Sequence, residues 1–221
     1  MMKHSNSKIE SMDALKTYKK EIAYFMRRLY TRGLTTSSGG NISLMQDRFL
    51  LITPSQTDKG RMKAKEICVI EAQGHNQTPK QKLSMETAMH QGVYAVRDDV
   101  KAIVHAHPPF ATSFAVNHQT IHTTLMGESW AVLGLPAFAP YGLMGSKALA
   151  ENVAQAAINA NVVVMANHGI LAMGSSLLEA FDRIEVLENC AKIQLLANLN
   201  GKAKELQLSD IEAINKFILS K

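Results

Sequence analysis

Three histidines and one glutamate carry the chemistry that this sequence can support. Residues 103–108 read Ile-Val-His-Ala-His-Pro. Side chains two apart on a strand share a face, so His105 and His107 point the same way from a strand's end. Residues 162–169 read Val-Val-Val-Met-Ala-Asn-His-Gly, an apolar strand that ends at His168. Gly169 is expected to permit the backbone turn that displays it. An isolated H-x-H pair is a weak signal. Three imidazoles at two strand ends match a three-histidine zinc site, whose fourth position stays open for water or substrate.

A metal by itself moves no proton, so such a site needs a base. Glu86 is the candidate, in the stretch Ser84-Met85-Glu86-Thr87, where Ser84 is placed to cap the helix that follows. The plainer role for Glu86 is to complement the helix dipole in the first turn. His90, one turn later on the same face, reads as a core or supporting residue rather than a ligand. Two small-residue segments, Ser38-Gly39-Gly40-Asn41 and Thr53-Pro54-Ser55, offer hydroxyls and free N–H groups. Such groups can cradle a phosphate without a Walker lysine, and the spacing of a P-loop is absent.

The elements that must position these residues follow from periodicity. Ile9, Met12, Leu15, Ile22, Met26 and Leu29 predict a helix over 8–32, which Gly33 ends. Short strands are expected over 42–45, 49–53 and 67–71, with a turn at Gly74-His75-Asn76. A helix from Ser84 to about Val96 leads into a buried strand over 100–105 and a further helix over 110–116. Residues 131–140 have strand character but contain Pro136 and Pro140, which confines any strand there to a short or peripheral one. A helix over 148–160, strands over 162–165 and 169–173, a long helix over 176–197 and a final helix over 210–219 complete the chain. The pattern is a single mixed α/β domain over 1–221, with its core in 8–200 and a tail helix in 201–221.

Bulk properties exclude several classes. The 221 residues are 46% hydrophobic and 19% charged, and no apolar run approaches the roughly 20 residues of a membrane span. The polar start, MMKHSNSKIESMD, has no signal-peptide core. Cys68 and Cys190, far apart in apolar segments, read as buried thiols of a reducing compartment, so the chain is expected to be cytoplasmic. The net charge of +5 gathers at Lys16, Lys19, Lys20, Arg27 and Arg28, around Lys59 to Lys65, and at Lys80 and Lys82. Without interleaved aromatics or a nucleic-acid motif, these are expected to be solvated faces with some attraction for an anionic substrate. Neither a nucleic acid nor a membrane is expected as a partner.

Five motifs in order, GGNIS (39–43), ITPS (52–55), Ser84-x-Glu86, HAH (105–107) and NHG (167–169), resemble the class II aldolase/adducin head family. The resemblance runs from about residue 15 to 198. It implies a three-layer α/β/α fold around a central mixed, largely antiparallel sheet. It also implies one zinc ion per subunit on His105, His107 and His168, with Glu86 as acid/base and resting fourth ligand. Asn41, Ser55 and Ser84 then fall where similar enzymes bind the phosphate of a small sugar, with Ser38 and Gly40 beside them. The reaction implied is cleavage of an L-fuculose-1-phosphate-like ketose phosphate to dihydroxyacetone phosphate and an aldehyde. The family's dehydratase, decarboxylase and 4-epimerase chemistries use the same zinc site, and a homotetramer is the assembly implied. Three departures stand out: Met85 replaces a common serine, Gln56 replaces a common glycine, and no tyrosine follows Tyr141. The fuculose aldolases use tyrosines from a neighbouring subunit, one of them from the tail.

Overall fold

Alternation of apolar side chains along seven short strands gives the sheet two buried faces, and helices cover both. The structure, a computed structural model, describes residues 3–71 and 74–220, with side chains from Leu15 onward. Ile9 and Met12, used above to phase the first helix, lie outside the described side chains. The strands are β1 (Asn41–Gln46), β2 (Phe49–Ile52), β3 (Cys68–Glu71), β4 (Ala102–Ala106), β5 (Ala137–Ala139), β6 (Val162–Met165) and β7 (Gly169–Gly174). They form one sheet in the order β3-β2-β1-β4-β7-β6-β5, antiparallel throughout except for the parallel β5–β6 pair.

The helices are α1 (Lys3–Thr31), α2 (Thr87–Val96), α3 (Pro109–Asn117), α4 (Gly127–Leu133), α5 (Lys147–Ala157), α6 (Leu177–Leu199) and α7 (Leu208–Leu219). On one face Ile42, Leu44, Val104, Val164 and Ala172 pack against Ile22, Met26 and Leu29 of α1 and Phe181, Ile184 and Leu187 of α6. On the other, Ile103, Val163, Met165, Leu171 and Met173 meet Met89 and Val93 of α2 and Leu149 and Val153 of α5. Odd-numbered positions of β1 and β4 therefore look toward α2, and that parity decides where Asn41, Ser43 and His105 point. Cys68 and Cys190 are both buried and free, as expected. Among the described residues no helix is long and apolar enough to cross a membrane.

Three expectations change. The helix expected from Ser84 begins at Thr87, because Ser84 closes a separate turn in which its Oγ accepts from the Glu86 N–H at 3.3 Å. The strand character read over 131–140 splits: residues up to Leu133 belong to α4, and only Ala137–Ala139 pair, at the sheet edge. Tertiary packing overrides the β propensity of Val132, since buried Ser129 and Leu133 seat α4 between α6 and α7. Lys59, counted with the solvated charges, is 1% exposed. Its backbone N–H donates to the Ser37 carbonyl at 2.9 Å, which draws it between two loops rather than leaving it in water.

Candidate metal centre

His105 is the penultimate residue of β4, His107 lies one residue beyond that strand, and His168 lies in the three-residue loop between β6 and β7. The pairing of β4 with β7 places the two segments side by side, with His105 opposite Leu171 and Ala106 opposite Ile170. The three ring centroids stand 4.7, 4.9 and 5.7 Å apart, and one ligand atom from each ring lies within 4.8 Å of the others.

Gly169 serves differently from the expectation. The left-handed residue of this loop is Asn167, with φ 51° and its side chain hydrogen-bonded to His118 at 2.8 Å. Glycine is needed at 169 because a Cβ there would stand 2.6 Å from the His107 ring and 2.7 Å from the Ala106 carbonyl. Gly40 meets both demands: its φ is 65°, and a Cβ would come within 2.7 Å of the His105 carbonyl.

Glu86 is brought to the histidines from the far side, as the residue immediately preceding α2. Its Oε2 lies 3.2 Å from His105 Nε2 and its Oε1 lies 3.0 Å from His168 Nε2. Behind it runs a ladder of hydrogen bonds that fixes its orientation. The Asn41 amide donates to Glu86 Oε2 at 2.7 Å, which leaves Asn41 Oδ1 to accept from His90 Nε2–H at 2.5 Å. His90 Nδ1 must then accept from Ser43 Oγ at 2.6 Å. With its only proton committed to His90, Ser43 accepts from the Tyr94 hydroxyl at 2.8 Å. Glu86, which precedes α2, and His90 and Tyr94 on it are spaced four apart, and Asn41 and Ser43 two apart on β1. One helical stripe and one strand face interleave.

The electrostatics single out a cation site. His105 Nδ1–H donates to the Ile170 carbonyl at 2.9 Å, so its Nε2 turns a lone pair toward the Glu86 carboxylate. Burial pushes the His105 imidazole below its ordinary value, and burial with repulsion from His105 and His168 holds His107 down to about 3. Burial disfavours ionised Glu86, yet positive charge shared by His105 and His168, together with the Asn41 amide, holds its carboxyl well below the usual carboxylate range. Glu86 Oε1, His105 Nε2 and both ring nitrogens of His168 are buried without a hydrogen-bond partner among the described residues. Lone pairs gathered at about 3 Å repel unless a cation stands among them, so this donor set fits a divalent metal.

The centre opens on a cleft of about 430 Å³ lined by Ser38, Gly39, Gly40, Asn41, Pro54, Ser55, Lys59, Ser84, Met85, Glu86, His107, Met144 and His168. Residues 20–195 match the family model described as "Class II Aldolase and Adducin N-terminal domain". The chain belongs to this family. A curated 5-deoxy-D-ribulose 1-phosphate aldolase of Bacillus thuringiensis serovar kurstaki is 30% identical to it over 91% of this chain and 95% of that protein. A 3-oxo-tetronate 4-phosphate decarboxylase of Haemophilus influenzae is 31% identical over 84% of this chain and 89% of that protein. A solved structure titled L-fuculose 1-phosphate aldolase superposes with a TM-score of 0.80 at 35% identity, covering 90% of this chain and 95% of that one. The aldolases and the decarboxylase so named are all lyases.

In this class II aldolase domain all five residues read from the sequence as anion-binding, Ser38, Gly40, Asn41, Ser55 and Ser84, line the one cleft. Asn41 has the least to offer a ligand, because its amide is already engaged by Glu86 and His90. Gln56 takes φ 55°, accepts from the Lys82 ammonium at 3.0 Å and is not among the residues that line the cleft. Ser43, Tyr94 and Lys59 were missed. The first two carried a readable signal, since Glu-x3-His-x3-Tyr on a helix can face Asn-x-Ser on a strand. Lys59 carried none, because nothing local distinguishes it from the exposed basic residues around it.

Proposed function

We propose that this class II aldolase domain is a zinc-dependent lyase that cleaves a small ketose phosphate, of the L-fuculose 1-phosphate kind, to dihydroxyacetone phosphate and an aldehyde. The observation that supports it best is the Glu86 carboxylate facing His105 and His168, whose buried ring nitrogens have no hydrogen-bond partner among the described residues, with the His107 ring beside them at the cleft. His105, His107 and His168 would hold one ion per subunit, with Glu86 able to close the fourth position at rest, and an imidazole donor set suits zinc. Such an ion, when bound, acts as a Lewis acid on the carbonyl and hydroxyl oxygens of the substrate and stabilises the charge that develops there.

The rest falls to side chains. The hydroxyls of Ser38, Ser55 and Ser84 and the Gly40 and Asn41 segment hold the phosphate and so fix the reacting carbons against Glu86. Glu86, held ionised, accepts the proton of the hydroxyl on the fourth sugar carbon as the bond between the third and fourth carbons breaks. The aldehyde departs, the bonding electrons stay with the third carbon, and Glu86 returns the proton there. The cleft borders exposed apolar residues: Met144 lines it, and Tyr141 and Leu143 are 57% and 66% exposed. A homotetramer that covers this rim is the assembly we infer.

Decarboxylation is a second reading, supported by the similarity to the Haemophilus influenzae protein named for it. It needs the same site, with carbon dioxide as the leaving group in place of an aldehyde and with the proton that replaces it on carbon taken up from solvent. The test is release of dihydroxyacetone phosphate from a panel of ketose 1-phosphates, with and without a chelator. Chelator-sensitive release supports the aldolase. No release from zinc-loaded, folded protein, with carbon dioxide evolved from a phosphorylated 3-oxo acid, moves the assignment to the decarboxylase. A monomer by light scattering would refute the tetramer.

A further inference from the structure

We propose that Lys59 is the charged anchor of the anion subsite, with its ammonium reserved for the phosphate of the substrate. The inference rests on the cleft being the substrate site and adds to it the group that neutralises the ligand's charge. Lys59 is 1% exposed and lines the same cleft as Ser38, Ser55 and Ser84. Its Nζ donates to one acceptor, the Pro54 carbonyl, at 2.7 Å. An ammonium has three N–H donors. Among the described residues no carboxylate pairs with it, since Glu86 Oε2 is taken by Asn41 and Oε1 faces His168.

A buried ammonium is costly, and a single carbonyl with the Glu86 charge beyond ion-pair distance is poor compensation. If fastening the loop were its whole purpose, an apolar side chain of the same volume would do as well or better. The surroundings nonetheless hold the lysine in place. Asp58 caps the turn Lys59–Arg61 by accepting from the Gly60 N–H at 2.9 Å, and the Lys59 N–H ties that turn to Ser37. Lys59 thus links the loop carrying Ser38 and Gly40, through its backbone N–H, to the loop carrying Ser55, through its ammonium, and it lines the cleft between them. Burial lowers its ammonium to about 8, which keeps it cationic at neutral pH. A phosphate dianion supplies what it lacks: two or more acceptor oxygens and opposite charge, in a cleft that also presents the hydroxyls of Ser38, Ser55 and Ser84.

The probe is inorganic phosphate, titrated calorimetrically into the zinc-loaded full chain. Lys59→Met keeps the stem and removes the charge. We expect it to weaken phosphate binding about 10- to 100-fold, the range of a lost charge-assisted hydrogen bond, and Lys59→Arg to restore part of the loss. A merely structural lysine would instead leave the phosphate affinity of Lys59→Met within about twofold of wild type, whatever its melting temperature, which overturns the proposal. If Lys59→Met does not fold, Lys59→Gln replaces it, and failure of the unaltered protein to bind phosphate overturns the proposal with no variant at all. The two readings fail separately. Phosphate binding that depends on Lys59 without cleavage of any ketose phosphate sustains the anchor and removes the aldolase, while cleavage whose KM ignores Lys59→Met does the reverse.

Discussion

Replacing His90 with leucine cuts the ladder behind Glu86 at its middle, and the consequences can be sized from the contacts. Leucine fills most of the imidazole's space and keeps its apolar neighbours. The variant leaves Asn41 Oδ1, on a residue 4% exposed, with no donor. Ser43 is better placed, since its hydroxyl can turn to Tyr94 while Tyr94 donates to the Lys101 carbonyl at 3.3 Å. The cost is therefore one buried orphan acceptor, ~2 kcal/mol. For a chain of this size that lowers the melting temperature by ~4–8 °C. The orphaned amide is then free to rotate, and Glu86 Oε2 loses its fixed donor. Loss of an outer hydrogen bond behind a metal site typically weakens metal affinity about 10- to 100-fold.

Competition against a fluorescent zinc chelator measures that affinity, and urea unfolding of the same samples measures stability. Neither assay needs the substrate to be known. Tyr94→Phe is the internal comparison, because it removes only the outermost rung. It should cost ~1 kcal/mol or less and leave zinc affinity within about threefold. Zinc affinity of His90→Leu within about twofold of wild type, or an effect of Tyr94→Phe as large as that of His90→Leu, would refute the idea that the ladder positions Glu86.

Four further outcomes follow from the same geometry. Burial, helped by repulsion from His105 and opposed by Glu86, holds His90 down to about 3, whereas in the unfolded chain it takes up a proton near its ordinary 6.5. Stability of metal-free protein should therefore be complete above that window and fall as pH drops through it, by up to ~1.4 kcal/mol per unit from this residue. The acid limb should be shallower in His90→Leu, and equal slopes in urea titrations at stepped pH would contradict this. Gly169→Ala drives a methyl into the His107 ring and the Ala106 carbonyl and should cost ~1–3 kcal/mol and most of the zinc affinity. Asn167→Gly, at the left-handed position of the same loop, should stay within ~1 kcal/mol of wild type by thermal melting. Glu86→Gln should reduce kcat by about 10²–10⁴ while the three histidines still bind zinc, and retained turnover would remove Glu86 from proton transfer.

How far the sequence could be read depended on the distance over which each signal acts. The histidines were legible because each lies at the end of an apolar run, so the run itself announces a strand and the period of two sets the side from which His105 and His107 project. The helix of 84–96 was legible in kind but not at its start, because Ser84 satisfies the N–H of Glu86 in a turn that resembles a cap. The α4 segment was misread because a Val-, Leu- and Pro-containing stretch takes its conformation from α6 and α7, both distant in sequence. Lys59 was illegible for a stricter reason. A lysine's burial is decided by what surrounds it, here Ser37 from one loop and Pro54 from another.

The ladder lies between these extremes. Four helical residues advance about 6 Å and two strand residues about 6.7 Å, so a stripe spaced by four and a face spaced by two keep step for a few rungs before they drift apart. Over Glu86, Asn41, His90, Ser43 and Tyr94, with one strand step between two helical ones, the mismatch is about 0.7 Å, which the reach of the side chains absorbs. A further strand rung would fall to Met45, and the next helical position is Asp98, beyond the end of α2 at Val96. The chain of polar contacts thus stops where the two periods and the helix run out together. Its inner end is the position that needs the most exact placement, the carboxylate among three imidazoles. The rungs contributed by α2 and β1 alternate, so displacing either element disturbs the orientation of Glu86. This gives a physical reason why Glu86 sits at a helix start packed against the strand that borders His105, rather than on a loop of its own.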